Sequence, residues 1–174
     1  MPGSNPDTLP VTRRVLQLLI VLNLLMGIGI LTLLVASLVA EDLVLGALGV
    51  GPAARSPALV LGMRAVMVLG IAAVPVTHAV LTRLLAIVGT VADGDPFVAV
   101  NAARLKGIAW AVLGLELLHL AVGAVAAAAS TREAPFDLDW NFSVTRWLAV
   151  LLLFVLARVF EQGSLMREDL AGTV

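Results

Sequence analysis

The chain has 174 residues, of which 60% are hydrophobic and 13% are charged, and its mean hydropathy is +1.05. Soluble domains contain roughly 45 to 50% apolar and about 25% charged residues, so this composition predicts an integral membrane protein. The formal net charge of -1 argues against direct nucleic-acid binding, because too little positive charge is available to neutralise a row of phosphates. The chain contains no cysteine, which excludes disulfides, thiolate metal sites and cysteine nucleophiles.

Four apolar runs each contain at least the roughly 17 residues that the shortest membrane-spanning helices have. The predicted spans are residues 15–40, 58–80, 106–129 and 144–160, with a cytoplasmic loop at 81–105 and a tail at 161–174. The first run is longer than the apolar stretch of a secretory signal, so we interpret it as a retained helix. The runs together predict an all-α fold, a polytopic membrane four-helix bundle that forms a single membrane domain from residues 1–174.

Prolines and glycines mark the segments around the spans. Residues 1–12 contain three prolines and predict a short flexible tail, and residues 41–57 predict an exposed loop or a short interfacial helix. Pro75 lies inside the second span and predicts a kink there, because proline removes a backbone hydrogen bond. Asp95 is a suitable N-cap for the next helix, with Pro96 at its first position.

Lysine and arginine residues near the span ends indicate the orientation, because they concentrate on the cytoplasmic side. One side receives Arg13, Arg14, Arg83, Arg104, Lys106, Arg158 and Arg167, whereas the opposite loops receive only Arg55 and Arg132. Both termini are therefore predicted to be cytoplasmic. Gly163 is expected to interrupt the fourth helix, and residues 164–170 predict a short amphipathic cytoplasmic helix at the C-terminus.

Small residues follow two faces of the third span. One stripe contains Gly107, Gly114, Ala121 and Ala128, and the opposite stripe contains Ala109, Glu116, Gly123 and Ala127. Such stripes permit close approach of a neighbouring helix, and one of them could serve a second copy, so we expect a homo-oligomer. The general abundance of small residues in membrane helices explains either stripe taken alone.

Glu116 lies near the middle of the third span, where an ionised group is costly and needs a partner or a proton. Its candidate partners are His119, His78, Arg64, Asn23 and Arg146, of which Arg64 and His119 are preferred. Three interpretations remain open: a buried polar tie that fixes helix register, a proton or cation pathway, and a metal site. We expect neither a metal nor another cofactor.

The predicted cytoplasmic side carries the more distinctive polar residues. The candidate interaction face comprises Asp93, Gly94, Asp95, Pro96, Phe97, Asn101, Arg104, Arg158, Glu161, Gly163, Arg167 and Asp169. Most of these residues are also explained as solvated helix ends, where an exposed ion pair contributes about 0 to 1 kcal/mol.

Two segments resemble a known family. GDPFVAVNAARLKGIAW (Gly94 to Trp110) and ARVFEQGSLMREDLAGTV (Ala157 to Val174) are similar to the small four-span bacterial membrane proteins of domain-of-unknown-function family 2975. That family shows a G-x-P-F loop, an Asn before a basic residue and Leu, and an ending close to F-x-x-G-x-x-x-x-x-D-L. Its members are often encoded beside a Cro/C1-type helix-turn-helix regulator, which implies a soluble regulator as a partner. The resemblance brings no catalytic residues.

The leading hypothesis is an integral membrane scaffold or regulatory interaction protein, whose cytoplasmic loop and tail bind a soluble regulator or a second copy. The alternative is a small proton-coupled or cation transporter, or a channel subunit, that uses the intramembrane Glu and His residues. We do not expect an enzyme, because the sequence shows no paired nucleophile and base.

Overall fold

The computed structural model of the protein describes residues 8–52, 55–94, 97–130 and 143–171. The helices are α1 (Thr8–Val39), α2 (Glu41–Ala47), α3 (Pro57–Ala92), α4 (Ala99–Ala129) and α5 (Val144–Ala171). The described residues contain no strand, which confirms the all-α fold class. The first connection contains the short helix α2, and a short helix was one of the two expectations for this segment.

Four of these helices are long and apolar enough to cross a membrane. The qualifying segments are Leu9–Val39, Pro57–Ala92, Ala99–Ala129 and Val144–Met166. The 36 residues of α3 extend for about 54 Å at 1.5 Å per residue, whereas a hydrocarbon core is about 30 Å thick. Helix α3 is therefore longer than a hydrocarbon core is thick, and so, to a smaller extent, are the 31 residues of α4.

Three helix boundaries differ from the predicted ones. Helix α1 begins at Thr8 and includes Pro10, because proline is tolerated in a first turn whose N–H groups have no intrahelical partner. Helix α4 begins at Ala99, later than the predicted start at Pro96, which lies with Asp95 outside the described residues. Helix α5 continues through Gly163, so residues 164–170 are helical as predicted but extend α5 rather than forming a separate helix.

The chain divides into two compact units. The first unit comprises Met1–Asn23, Val76–Gly114 and Ser143–Val174, and the second comprises Leu24–Pro75 and Leu115–Phe142. Buried apolar side chains of the first unit are Leu16, Ala102, Leu105, Ile108, Ala109, Val150 and Ala157. Those of the second unit are Val44, Leu45, Leu59, Ala126 and Ala129. Small residues are frequent in both sets, as expected where helices approach closely.

Glycines bring the helices of the second unit together. A Cβ added at Gly62 of α3 would overlap the Cβ of Ala129 on α4. A Cβ added at Gly27 of α1 would lie 3.0 Å from both γ carbons of Val74 on α3. A side chain at Gly62 would require α3 or α4 to shift, whereas one at Gly27 would require Val74 to move by a few tenths of an ångström.

Candidate interaction site

The end of α3 and the start of α4 form a hairpin, residues 83–107, in the first unit. Asn101 of α4 is 0% exposed, its Nδ2 donates to Thr90 Oγ1 at 2.7 Å, and its Oδ1 accepts from Arg104 Nη1 at 2.9 Å. Thr90 Oγ1 in turn donates to the Ile87 carbonyl at 2.8 Å. A buried amide needs such partners, because leaving its donor or acceptor unsatisfied costs about 1 to 3 kcal/mol. Asn101 therefore ties α4 to α3.

Two arginines add bonds between the same helices. Arg104 Nη1 donates to the Ala86 carbonyl of α3 at 3.3 Å, and Arg83 Nη1 donates to the Gly107 carbonyl of α4 at 3.1 Å. The Arg83 guanidinium lies 3.1 Å from where a Cβ would be on Gly107, so glycine makes room for it. The hairpin is thus cross-linked along its length by polar groups rather than by apolar packing alone.

The turn of the hairpin contacts the end of α5. The ring of Phe97, just before α4, lies 5.2 Å from that of Phe160 with the planes tilted by 32°. A Cβ added at Gly163 would approach Phe97 Cδ1 at 3.4 Å, so the ring rests against this glycine. A glycine in a helix interior costs about 1 kcal/mol relative to alanine, and contact with Phe97 explains its place in α5. The two family-like segments are thus in direct contact.

Helices α4 and α5 border a groove of about 530 Å³ in the first unit. Its wall contains the alanines Ala99, Ala102, Ala103 and Ala157, and charged residues line it as well. Arg158 Nη1 donates to Glu161 Oε2 at 2.8 Å across one turn of α5. A second cavity of about 420 Å³ lies beside α3 and includes Arg13 and Asp93 in its lining.

Several predicted interaction residues are exposed, and large apolar residues accompany them. Asp93, Gly94, Phe97, Arg158 and Glu161 are exposed, as are Val100, Leu165 and Met166. Met166 is 62% exposed and Val100 is 48% exposed. Asn101 is buried, and Arg104 and Gly163 are half-buried. Asp95, Pro96 and the side chains of Arg167 and Asp169 lie outside the described residues.

The five intramembrane polar residues are distributed over both units. Asn23 and His78 belong to the first unit, and Arg64, Glu116 and His119 belong to the second. Asn23 is 5% exposed, and the other four are half-buried. Helix α4 carries Glu116 and His119 one turn apart, as the sequence predicts.

Arg64 has partners other than the predicted one. Its Nη2 donates to Glu41 Oε2 at 2.7 Å and to the Ser37 carbonyl, and its Nε donates to Ser37 Oγ at 3.4 Å. The preferred pairing with Glu116 is not what the described residues show. The guanidinium instead connects α3 to the end of α1 and the start of α2, where Arg55 also pairs with Asp42.

The two histidines share an unusual environment. His78 Nδ1 and His119 Nε2 are buried, and neither nitrogen has a hydrogen-bond partner in the part of the chain that the structure describes. In the same described ranges, no group of three or more His, Asp or Glu side chains is placed to hold a metal ion. A ligand set for a transition metal would need such convergence.

Sequence reasoning missed Thr90, Phe160, Ser37 and Glu41 as partners. The signal for Thr90 was present, because Arg83 and Thr90 are seven residues apart and share one face of α3. No pattern in the sequence pairs Glu41 with Arg64, since the chain reverses direction between them.

The helices and the polar hairpin define a small all-helical membrane protein with four span-like segments. A family model described as "Protein of unknown function (DUF2975)" matches residues 50–174, which is more than two thirds of the chain. The protein therefore belongs to this family, which confirms the resemblance noted for its two segments. No curated protein and no solved structure matches the chain.

Proposed function

We propose that the protein is a membrane-embedded interaction protein of the bacterial inner membrane, with both termini in the cytoplasm. Its hairpin turn and the end of α5 bind a soluble regulator or a second copy of the chain. The observation that carries this proposal is the exposure of large apolar side chains, Val100, Leu165 and Met166, on helix ends beyond the predicted spans. Exposed apolar groups outside lipid are typical of binding surfaces.

The position of these residues supports a surface in water rather than in lipid. The predicted spans of α4 and α5 cover residues 106–129 and 144–160, so Val100 and Met166 lie about six residues outside them. At 1.5 Å per residue this corresponds to about 9 Å along each helix. Arg104 lies between Val100 and the predicted span of α4, and Lys106 and Arg158 lie at the ends of the two predicted spans, as basic residues at a cytoplasmic boundary do.

The rigidity of the surface also supports a binding role. The Asn101 bonds hold α4 on α3, and the Phe97–Phe160 contact holds α5 on the turn. A partner that meets a pre-organised surface loses less side-chain and loop entropy on binding. The proposal includes no catalytic activity.

Two substitutions of the same type test this surface. Val100→Glu places a charge on the proposed surface, and Val11→Glu places one on an exposed valine at the start of α1, also outside its predicted span. We expect Val100→Glu to weaken binding to a Cro/C1-type helix-turn-helix regulator, the partner that the family resemblance implies, by about tenfold or more, as for a central interface residue. Val11→Glu should leave binding unchanged.

The measurement is the dissociation constant of the purified regulator for the full chain in nanodiscs, with the oligomer mass recorded in parallel. Loss of self-association rather than regulator binding in Val100→Glu would identify a second copy as the partner. The proposal would be contradicted if Val100→Glu bound the regulator, and associated with a second copy, as strongly as Val11→Glu does. Full binding by a chain that lacks residues 163–174 would contradict the role proposed for the end of α5.

A proton-coupled or cation transporter is the second candidate. The buried, unbonded nitrogens of His78 and His119 favour it, because such groups in a membrane often belong to ion or proton relays. In proteoliposomes, Glu116→Gln and His119→Gln should each abolish a pH-dependent flux. An unchanged flux in both variants would remove these residues from any such pathway.

A further inference from the structure

The groove between α4 and α5 has one charged group without a partner. Lys106 lines the groove and is exposed, and it has no ion-pair partner among residues 8–52, 55–94, 97–130 and 143–166. Arg158 and Glu161, which also line the groove, neutralise each other through their 2.8 Å contact. The described groove therefore carries one net positive charge.

Lys106 lies where the apolar part of α4 begins. Residues 107–129 of α4 contain no Lys or Arg, so Lys106 is the last cation before the apolar run. On α5 the corresponding last cation is Arg158, since residues 147–157 are uncharged. Both cations face the same groove, and basic residues in pockets between membrane helices are a recurrent means of binding lipid headgroups.

The walls of the groove suit the rest of a lipid. From Ala99 to Lys106 the groove follows α4 for about 10 Å, close to the thickness of one headgroup layer, about 5 to 8 Å. At its deep end lies Phe154, whose ring makes an edge-on contact with Trp110 at 5.2 Å. Alanines beside the charges leave space for a glycerol backbone, and the aromatic pair offers an apolar surface to acyl chains.

We propose that this groove is a binding site for a phospholipid of net negative charge, with the phosphate at Lys106 and the acyl chains beside Phe154. The occupant is a lipid rather than a helix of another chain because the net charge of the groove is concentrated where the apolar runs begin. Of the apolar residues of the proposed partner surface, Leu165 also lines the groove, whereas Val100 and Met166 do not.

Trp110 provides a reporter, because it is 59% exposed and contacts Phe154. With Trp140 and Trp147 replaced by Phe, the full chain is reconstituted in phosphatidylcholine vesicles that contain a fixed fraction of dibrominated lipid. Brominated phosphatidylglycerol should quench Trp110 more than brominated phosphatidylcholine does. We expect an association preference of about fivefold from the contact of Lys106 with the headgroup.

Three variants and one control separate the site from general surface attraction. Lys106→Gln should lower the preference for phosphatidylglycerol about fivefold, and Lys106→Arg should retain this preference. Ala103→Leu should lose the preference without a change of charge, because the larger side chain fills the groove. Arg14→Gln removes one exposed cation elsewhere in the first unit and should have no effect.

The outcomes are distinct. A preference that is absent in the parent chain, or that persists in both Lys106→Gln and Ala103→Leu, overturns the site. An equal loss in Arg14→Gln also overturns it, since the attraction would then belong to the whole surface. A second copy of the chain could instead fill the groove. In that case quenching of Trp110 by both brominated lipids would decrease as the protein-to-lipid ratio rises, and this result would contradict a lipid site.

Discussion

Replacement of Asn101 by alanine is expected to destabilise the hairpin strongly. The side chain is 0% exposed and makes a neutral bond to Thr90 and a charge-assisted bond to Arg104. A neutral hydrogen bond contributes about 1 kcal/mol and one to a charged group about 1.5 to 3 kcal/mol. Because Arg104 is half-buried and water can replace part of its bond, we expect a total loss of about 2 to 3 kcal/mol.

Two further substitutions divide this loss. Thr90→Val keeps the shape of the side chain and removes the hydroxyl that accepts from Asn101 and donates to the Ile87 carbonyl, so it should cost about 1 to 2 kcal/mol. Asn101→Asp keeps an acceptor for Arg104 and loses the amide donor, so its cost should lie below that of Asn101→Ala. In the double variant, Asn101→Ala with Thr90→Val, we expect a coupling energy of about 1 kcal/mol.

The assay is unfolding of the purified protein by titration of SDS into mixed micelles, followed by tryptophan fluorescence and checked for reversibility. Additive effects of the Asn101 and Thr90 substitutions would refute the assigned bond. A loss below about 0.5 kcal/mol in Asn101→Ala, typical of surface substitutions, would refute the structural role of the amide altogether.

Two other predictions concern the second unit. Gly62→Ala should destabilise the protein by about 1 to 3 kcal/mol, because the added Cβ would overlap Ala129. The control is Gly29→Ala, where no described atom lies within 4 Å of the added carbon. It should be neutral or stabilising in the same unfolding assay. Arg64→Met should destabilise the protein by less than about 1 kcal/mol, because Glu41 is half exposed. Glu41→Gln removes the same ion pair, so the double variant should cost less than the sum of the two single variants. Additive costs would contradict the pairing.

The spans could be predicted from the sequence because lipid imposes a simple condition on composition. A run of about 20 apolar residues needs a hydrocarbon environment, and all four runs are helical where predicted. The helix ends were less predictable, since a helix does not stop where lipid stops. Helix α3 continues to Ala92 and α4 starts at Ala99, so most of the predicted loop at 81–105 is helical.

Partners of buried charges were the least predictable feature. The depth of Arg64 along α3 suggested a partner inside the bundle, at Glu116. The structure instead supplies Glu41, which immediately follows α1 and becomes accessible because the chain bends between α1 and α2. A long charged side chain near a helix end extends towards polar surroundings, because burying its charge among apolar groups costs more free energy.

The burial of Asn101 changes how the family-like segments are to be interpreted. Sequence reasoning placed Asn101 and Arg104 on the interaction face because polar residues there looked available to a partner. Both side chains bond within the hairpin, so a substitution of either residue would alter binding by unfolding the surface even where no partner touches it. Loss of binding therefore identifies a contact residue only where stability is unchanged. Exposed Val100 meets this condition and buried Asn101 does not, so the apolar residue gives the sharper test of partner binding.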